Sequence, residues 1–146
     1  SARLQVGGAY LVGDGIYFEI RQRDKAGNDY VCKLTGPIRV DTDDEELGKH
    51  VIASLMIDTS SLPIPPTARK AHWKGLLKEA GFNEKRFVER AHLVMISGVT
   101  GRNVSFQPTK RDGKNFLGLR SQVTRSCQWS TEVMGAELKS AFLACS

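Results

Sequence analysis

Residues 40–55, VDTDDEELGKHVIASL, constrain the chain most, because they spell a complete helix start followed by an apolar stripe that must be buried against something. Thr42 is expected to cap the first turn, with Glu45 three residues on reaching back to the Thr42 amide. Asp43, Asp44, Glu45 and Glu46 fall in that first turn, where the helix dipole favours negative charge. Leu47, Val51, Ile52 and Leu55 then recur at helical spacing. The acids lack the spaced oxygen ligands and the turn glycine of a calcium loop, so the segment reads as scaffold.

Strand patterns flank this helix. Ala9 to Val12 and Ile16 to Arg23 read as two strands around Gly13-Asp14-Gly15. In the second, Ile16, Phe18 and Ile20 share one face and Tyr17, Glu19 and Arg21 the other. A turn at 25–29 leads to Tyr30 to Leu34, and Gly36-Pro37 is expected to break the chain before a short strand from Ile38 to Val40. The proline-rich SSLPIPPT, residues 60–67, reads as an extended linker within one domain spanning 1–146. Thr67 can cap a second helix, ARKAHWKGLLKEAG, with Trp73, Leu76, Leu77 and Ala80 as its buried stripe and Gly81 as a left-handed C-terminal cap. A short helical turn near 83–89 follows. His92 to Ile96 reads as a strand, Gly98 to Gly101 as a turn, and Val104 with Phe106 as a strand stopped by Pro108.

After a turn at 110–114, the odd positions Leu117, Leu119, Val123, Cys127 and Trp129 are apolar and their neighbours polar. Arg125 falls on the apolar parity, which means a bulge, a paired buried Arg, or an exposed edge. A closing helix from Thr131 to Ala144, capped by Ser130, carries Val133, Met134, Leu138, Ala141 and Phe142 on one face. The expected class is therefore α+β, with mostly antiparallel twisted sheets in the order strands, helix, strands, helix, and about three principal helices packed on them. Trp129 and Phe142 are the expected aromatic anchors, each costing about 3 to 5 kcal/mol on truncation to Ala.

Charge is segregated along the chain. Residues 1–60 carry seven Lys and Arg against ten Asp and Glu, whereas residues 101–130 carry six against one. Such asymmetry speaks to partners rather than to fold. No apolar run approaches the ~20 residues that span a bilayer, and no secretion signal is recognisable. Cys32, Cys127 and Cys145 have neither a zinc spacing nor an even count for a disulfide framework, which fits a reducing cytoplasm. His50, His72 and His92 form no helical metal pair, and the short glycine clusters lack a phosphate loop's lysine and helix. No catalytic residue, metal or cofactor is expected.

The segment VDTDDEELGKHVIASL after a hairpin-rich start, a late strand ending in Trp129, and a last helix carrying MGAELKSAFLAC together resemble the immunity proteins of bacterial contact-dependent growth inhibition. The resemblance rests on Asp43, Asp44, Leu47, Gly48 and Leu55 at the front and Trp129, Leu138, Ala141, Phe142 and Cys145 at the back. It implies a cytoplasmic, non-enzymatic protein that binds the C-terminal toxin domain of a neighbouring cell's surface filament, commonly a nuclease, as a 1:1 complex without cofactor. The acidic first part is the expected toxin-binding face, through Asp24, Asp29, Asp43, Asp44 and Glu46. The element order is also similar to the two-sheet Whirly-type binders of single-stranded nucleic acid. That alternative assigns phosphate binding to Arg102, Lys110, Arg111, Lys114, Arg120 and Arg125.

Overall fold

A computed structural model describes residues 4–23, 29–57, 69–119 and 123–146, and statements of structure below refer to these. Strands β1 (Leu4–Val12) and β2 (Gly15–Arg23) form a hairpin closing on Gly13-Asp14. Gly13 has φ +63°, the conformation a two-residue turn demands at its first position. Strand β3 (Asp29–Arg39) pairs with β2, and helices α1 (Asp44–Met56), α2 (Arg69–Glu79) and α3 (Glu84–Arg90) follow. Strand β4 (His92–Val99) returns to pair with β1. Strands β5 (Asn103–Asp112), β6 (Asn115–Gly118) and β7 (Arg125–Gln128) and helix α4 (Thr131–Ala144) complete the chain. The class is the α+β expected. The strands join a single seven-stranded sheet in the order β3-β2-β1-β4-β5, with β6 and β7 both on β5, rather than two sheets. Every pairing is antiparallel.

Successive strand residues face opposite sides, and both sides are covered. Ala9, Ile16, Phe18, Val94, Ile96, Val104 and Phe106 pack with α1 and α4 on one face. Tyr10, Leu93, Tyr17 and Met95 pack with Leu77, Trp73 and Phe87 of α2 and α3 on the other. A central strand buried on two faces carries apolar residues at consecutive positions, as Leu93-Val94 does.

Several local expectations shift. Helix α1 is capped by Asp43, whose carboxylate accepts from the Glu46 amide at 2.9 Å, not by Thr42. TDDE and DDEE both have the capping spacing, and the frame with the stronger cap prevails. Gly36-Pro37, a cis peptide, does not end a strand but sits within β3 beside a register shift in its pairing with β2. A Cβ at Gly36 would meet the Ile16 carbonyl oxygen at 2.6 Å. Gly98 lies inside β4 for a similar reason, pressed against Asn103 and Val104. The strand expected from Leu117 to Trp129 is split into β6 and β7, which leaves Leu117 and Val123 exposed. Val133 is exposed on α4, and Trp129 is half-buried against the core rather than enclosed by it. Gly81 caps α2 as expected, at φ +89°, with the Phe82 amide bonded to the Leu77 carbonyl at 2.8 Å. The proline-rich segment, Thr67 and the turn residues Lys25 to Asn28 lie outside the described residues.

The two halves repeat one plan, three strands then a helix. β1-β2-β3-α1 is followed, after α2 and α3, by β4-β5-β6/β7-α4. Caps Asp43 and Ser130 and buried residues Leu47 and Met134, Gly48 and Gly135, Val51 and Leu138, Leu55 and Phe142 are all separated by the same 87 positions. The two helices run antiparallel through the glycine pair. A Cβ at Gly48 would overlap the carbonyl of Thr131, the first residue of α4, and one at Gly135 would overlap the carbonyl of Asp44, the first residue of α1. This reciprocity is that of a pseudo-two-fold axis between the halves.

Candidate interaction surfaces

The helical layers separate the charges that the sequence segregates. Helices α1 and α4 carry Asp44, Glu45, Glu46, Glu132 and Glu137 against Lys49 and Lys139. Helices α2 and α3 carry seven Lys and Arg against Glu79, Glu84 and Glu89. The sheet therefore lies between an acidic layer and a basic one.

At the acidic end, the hairpin turn and the α1 cap converge. The Val40 amide bonds to the Asp14 carbonyl at 2.8 Å, and Arg39 bridges Asp14 and Asp41. The hydrogen bond from Arg39 holds the Asp41 carboxyl below its ordinary pKa. Of the acids expected to bind a toxin, Asp43 is occupied as the helix cap, Asp44 pairs with Lys139 at 2.9 Å, and Glu46 stands beside Lys49 and His50. Asp24 and the side chain of Asp29 lie outside the described residues.

The alternative basic set does not gather into one groove. Arg102 precedes β5 and Lys110 nears its other end, about 26 Å away at ~3.3 Å per residue. Lys110 and Lys114 are exposed at the β5–β6 hairpin. The Arg111 guanidinium instead donates to the Val88 and Glu89 carbonyls, satisfying the last turn of α3. Arg125 opens the edge strand β7, exposed and paired with Glu137 of α4. Arg120 lies outside the described residues. Phe106 is buried in the core and Phe116 packs edge-on against Tyr10, so neither offers a free ring to a base.

One polar cluster was not legible in the sequence. Glu19 is 1% exposed in the sheet, accepting from the Tyr10 hydroxyl at 3.0 Å and from the Arg21 guanidinium at 2.6 and 3.0 Å. Gly8 makes the room, since a Cβ there would overlap the Glu19 carboxylate. Burial, then the adjacent Glu19 charge, raises the Tyr10 phenol well above its ordinary pKa. The signal in the sequence was a carboxylate and an Arg two apart on one strand face, opposite a Gly-Gly pair. Glu19→Gln keeps the shape but removes the charge facing Arg21, and is expected to lower unfolding free energy by about 1 to 3 kcal/mol. Urea denaturation at pH 7 measures it.

A shallow groove of about 340 Å³ opens between β7 and α4, lined by Val123, Thr124, Arg125, Ser126, Glu137, Ser140 and Ala144. Groups suited to covalent or metal chemistry are not poised. Burial raises the thiol pKa of Cys32, Cys127 and Cys145, which favours the unreactive thiol, and burial together with Arg111 lowers that of His92. Among the described residues no three His, Cys, Asp or Glu side chains gather as a metal site, and no helix is long and apolar enough to cross a membrane.

Fold and surfaces together define an antiparallel α+β sandwich with oppositely charged helical layers and a shallow groove between β7 and α4. The fold is shared with solved structures. A protein of unknown function from Neisseria meningitidis matches with a TM-score of 0.75 at 14% identity, over 99% of this chain and 96% of that one. A chain of the CdiA-CT/CdiI toxin and immunity complex from Yersinia pseudotuberculosis matches with a TM-score of 0.69 at 16% identity, over 100% of both. No family model and no curated protein sequence matches the chain.

Proposed function

We propose that residues 1–146 act as one immunity-type domain of a contact-dependent inhibition system, binding the cognate toxin domain 1:1 in the cytoplasm and blocking it without chemistry. The observation that carries this reading is the end-to-end likeness to a chain of a toxin and immunity complex. The raised thiol pKa values and the structural use of Glu19, Asp43 and Arg111 agree with a protein that acts by binding. An acidic helical layer suits a cationic partner, as a nuclease that grips phosphates would be.

Co-expression tests the proposal. Cells making the cognate toxin domain should stop growing, and should recover when this chain is co-expressed. Toxin recovered from the complex by denaturation should regain full activity with unchanged mass. A cleaved or modified toxin, or no rescue by well-folded protein, would refute the reading.

A further inference from the structure

We propose that the outer side of α2 and α3 binds the phosphate backbone of double-stranded nucleic acid without regard to sequence. This goes beyond the immunity reading and does not depend on it. Lys70, Lys74 and Lys78 recur every four residues along α2 and are all exposed, so they form one ridge with about 6 Å of helix rise between neighbours. None of the three has a carboxylate partner among the described residues, whereas Lys49 and Lys139 of the acidic layer pair with Glu46 and Asp44. Lys85, Arg86 and Arg90 are exposed on α3, which packs beside α2 through the rings of Phe87 and Trp73. The ridge is also open to close approach. Ala71 and Gly75, both exposed, form the row beside it, and a Cβ at Gly75 would meet no described atom within 4 Å. No packing among the described residues calls for glycine there, where it weakens the helix, but its bare backbone lets a ligand come near.

What faces outward decides the occupant. Trp73 and Leu77 of α2 are spent against Tyr10 and Phe87, and among the described residues no large apolar side chain of α2 or α3 is exposed. A helix that lies on a membrane needs an apolar face to insert, and a protein interface needs an aromatic or aliphatic centre. Single strands are held by rings on which bases stack. This face offers periodic positive charge alone. A duplex is its complement, with bases hidden and phosphates repeating along the outside. The sheet lies between this face and the acidic layer, so a cationic partner on α1 and α4 leaves it free.

The test uses the full chain without toxin and a short fluorescent duplex of mixed sequence, read by anisotropy across a salt series. Wild-type protein should bind with a dissociation constant of about 1 to 100 μM near physiological salt, and unrelated duplex sequences should agree within about twofold. Lys70→Gln with Lys74→Gln and Lys78→Gln should weaken binding about tenfold or more and make the slope of log affinity against log salt shallower by about 3. Gly75→Gln keeps every charge and has room in the helix, and should weaken binding about threefold by holding the duplex off. Lys49→Gln with Lys139→Gln, on the acidic layer, should leave affinity within about twofold. If the triple variant does not fold, Gly75→Gln and the wild-type salt slope decide. Wild-type protein that binds no duplex, a folded triple variant with unchanged affinity and slope, or tighter binding to the single strand than to the duplex overturns the proposal. Binding to phosphatidylserine vesicles but not to duplex assigns the face to a membrane instead. Self-association that the triple variant abolishes, with no duplex bound, assigns it to the acidic layer of a second copy. Each of these results leaves the immunity reading untouched.

Discussion

Gly135→Ala is expected to lower unfolding free energy by about 3 kcal/mol or more, against the usual sign of such a change in a helix. In an open helix, alanine gains up to about 1 kcal/mol over glycine through backbone entropy. At Gly135 the added methyl would overlap the Asp44 carbonyl, which belongs to the backbone of α1 and cannot rotate away. The helices would have to separate, loosening Leu47, Val51, Met134 and Leu138, all fully buried. Gly48→Ala should behave alike, because it meets the Thr131 backbone in the reciprocal contact. Gly75, in α2, has open space where a Cβ would stand, and Gly75→Ala should stabilise by about 0.5 to 1 kcal/mol. Guanidinium unfolding of the three variants checks this, and a stabilised Gly135→Ala protein would show that the helix pair is not as close as described.

Phe142→Ala should cost about 3 to 5 kcal/mol, for its ring is enclosed in the core between α4 and the sheet. Trp129→Ala should cost less, since that side chain is only partly buried against the core. The two midpoints measured side by side decide the order, and a larger loss at Trp129 would reverse the burial assigned to them.

What the sequence made legible followed from periodicity and punctuation. The capped helix, the hairpin at Gly13-Asp14, the Gly81 cap and the apolar face of the last helix all rest on local chemistry, and local chemistry is written in neighbouring residues. What it hid rests on contacts between distant parts. Glu19 looks like an outward-facing strand residue until Tyr10, Arg21 and the space at Gly8 are brought beside it. Gly48 and Gly135 look like costly helix interiors until the two helices cross there. Arg125 broke a strand pattern because the strand itself is interrupted, and its partner Glu137 lies on another element. Function was less legible still. The acids singled out near the front proved partly engaged in holding α1, and of the basic residues singled out only Arg125 lines the groove that the meeting of β7 with α4 creates.

Stoichiometric inhibition is tested by a titration. Purified toxin domain is held at a fixed concentration well above the dissociation constant, and its activity is followed as this chain is added. Activity should fall linearly to zero at one equivalent, with no dependence on incubation time or added metal, and the complex should have a mass that is the sum of one copy of each. Inhibition that completes far below one equivalent and grows with time would reveal turnover. Activity that persists beyond one equivalent of folded protein would show that this chain is not the toxin's inhibitor.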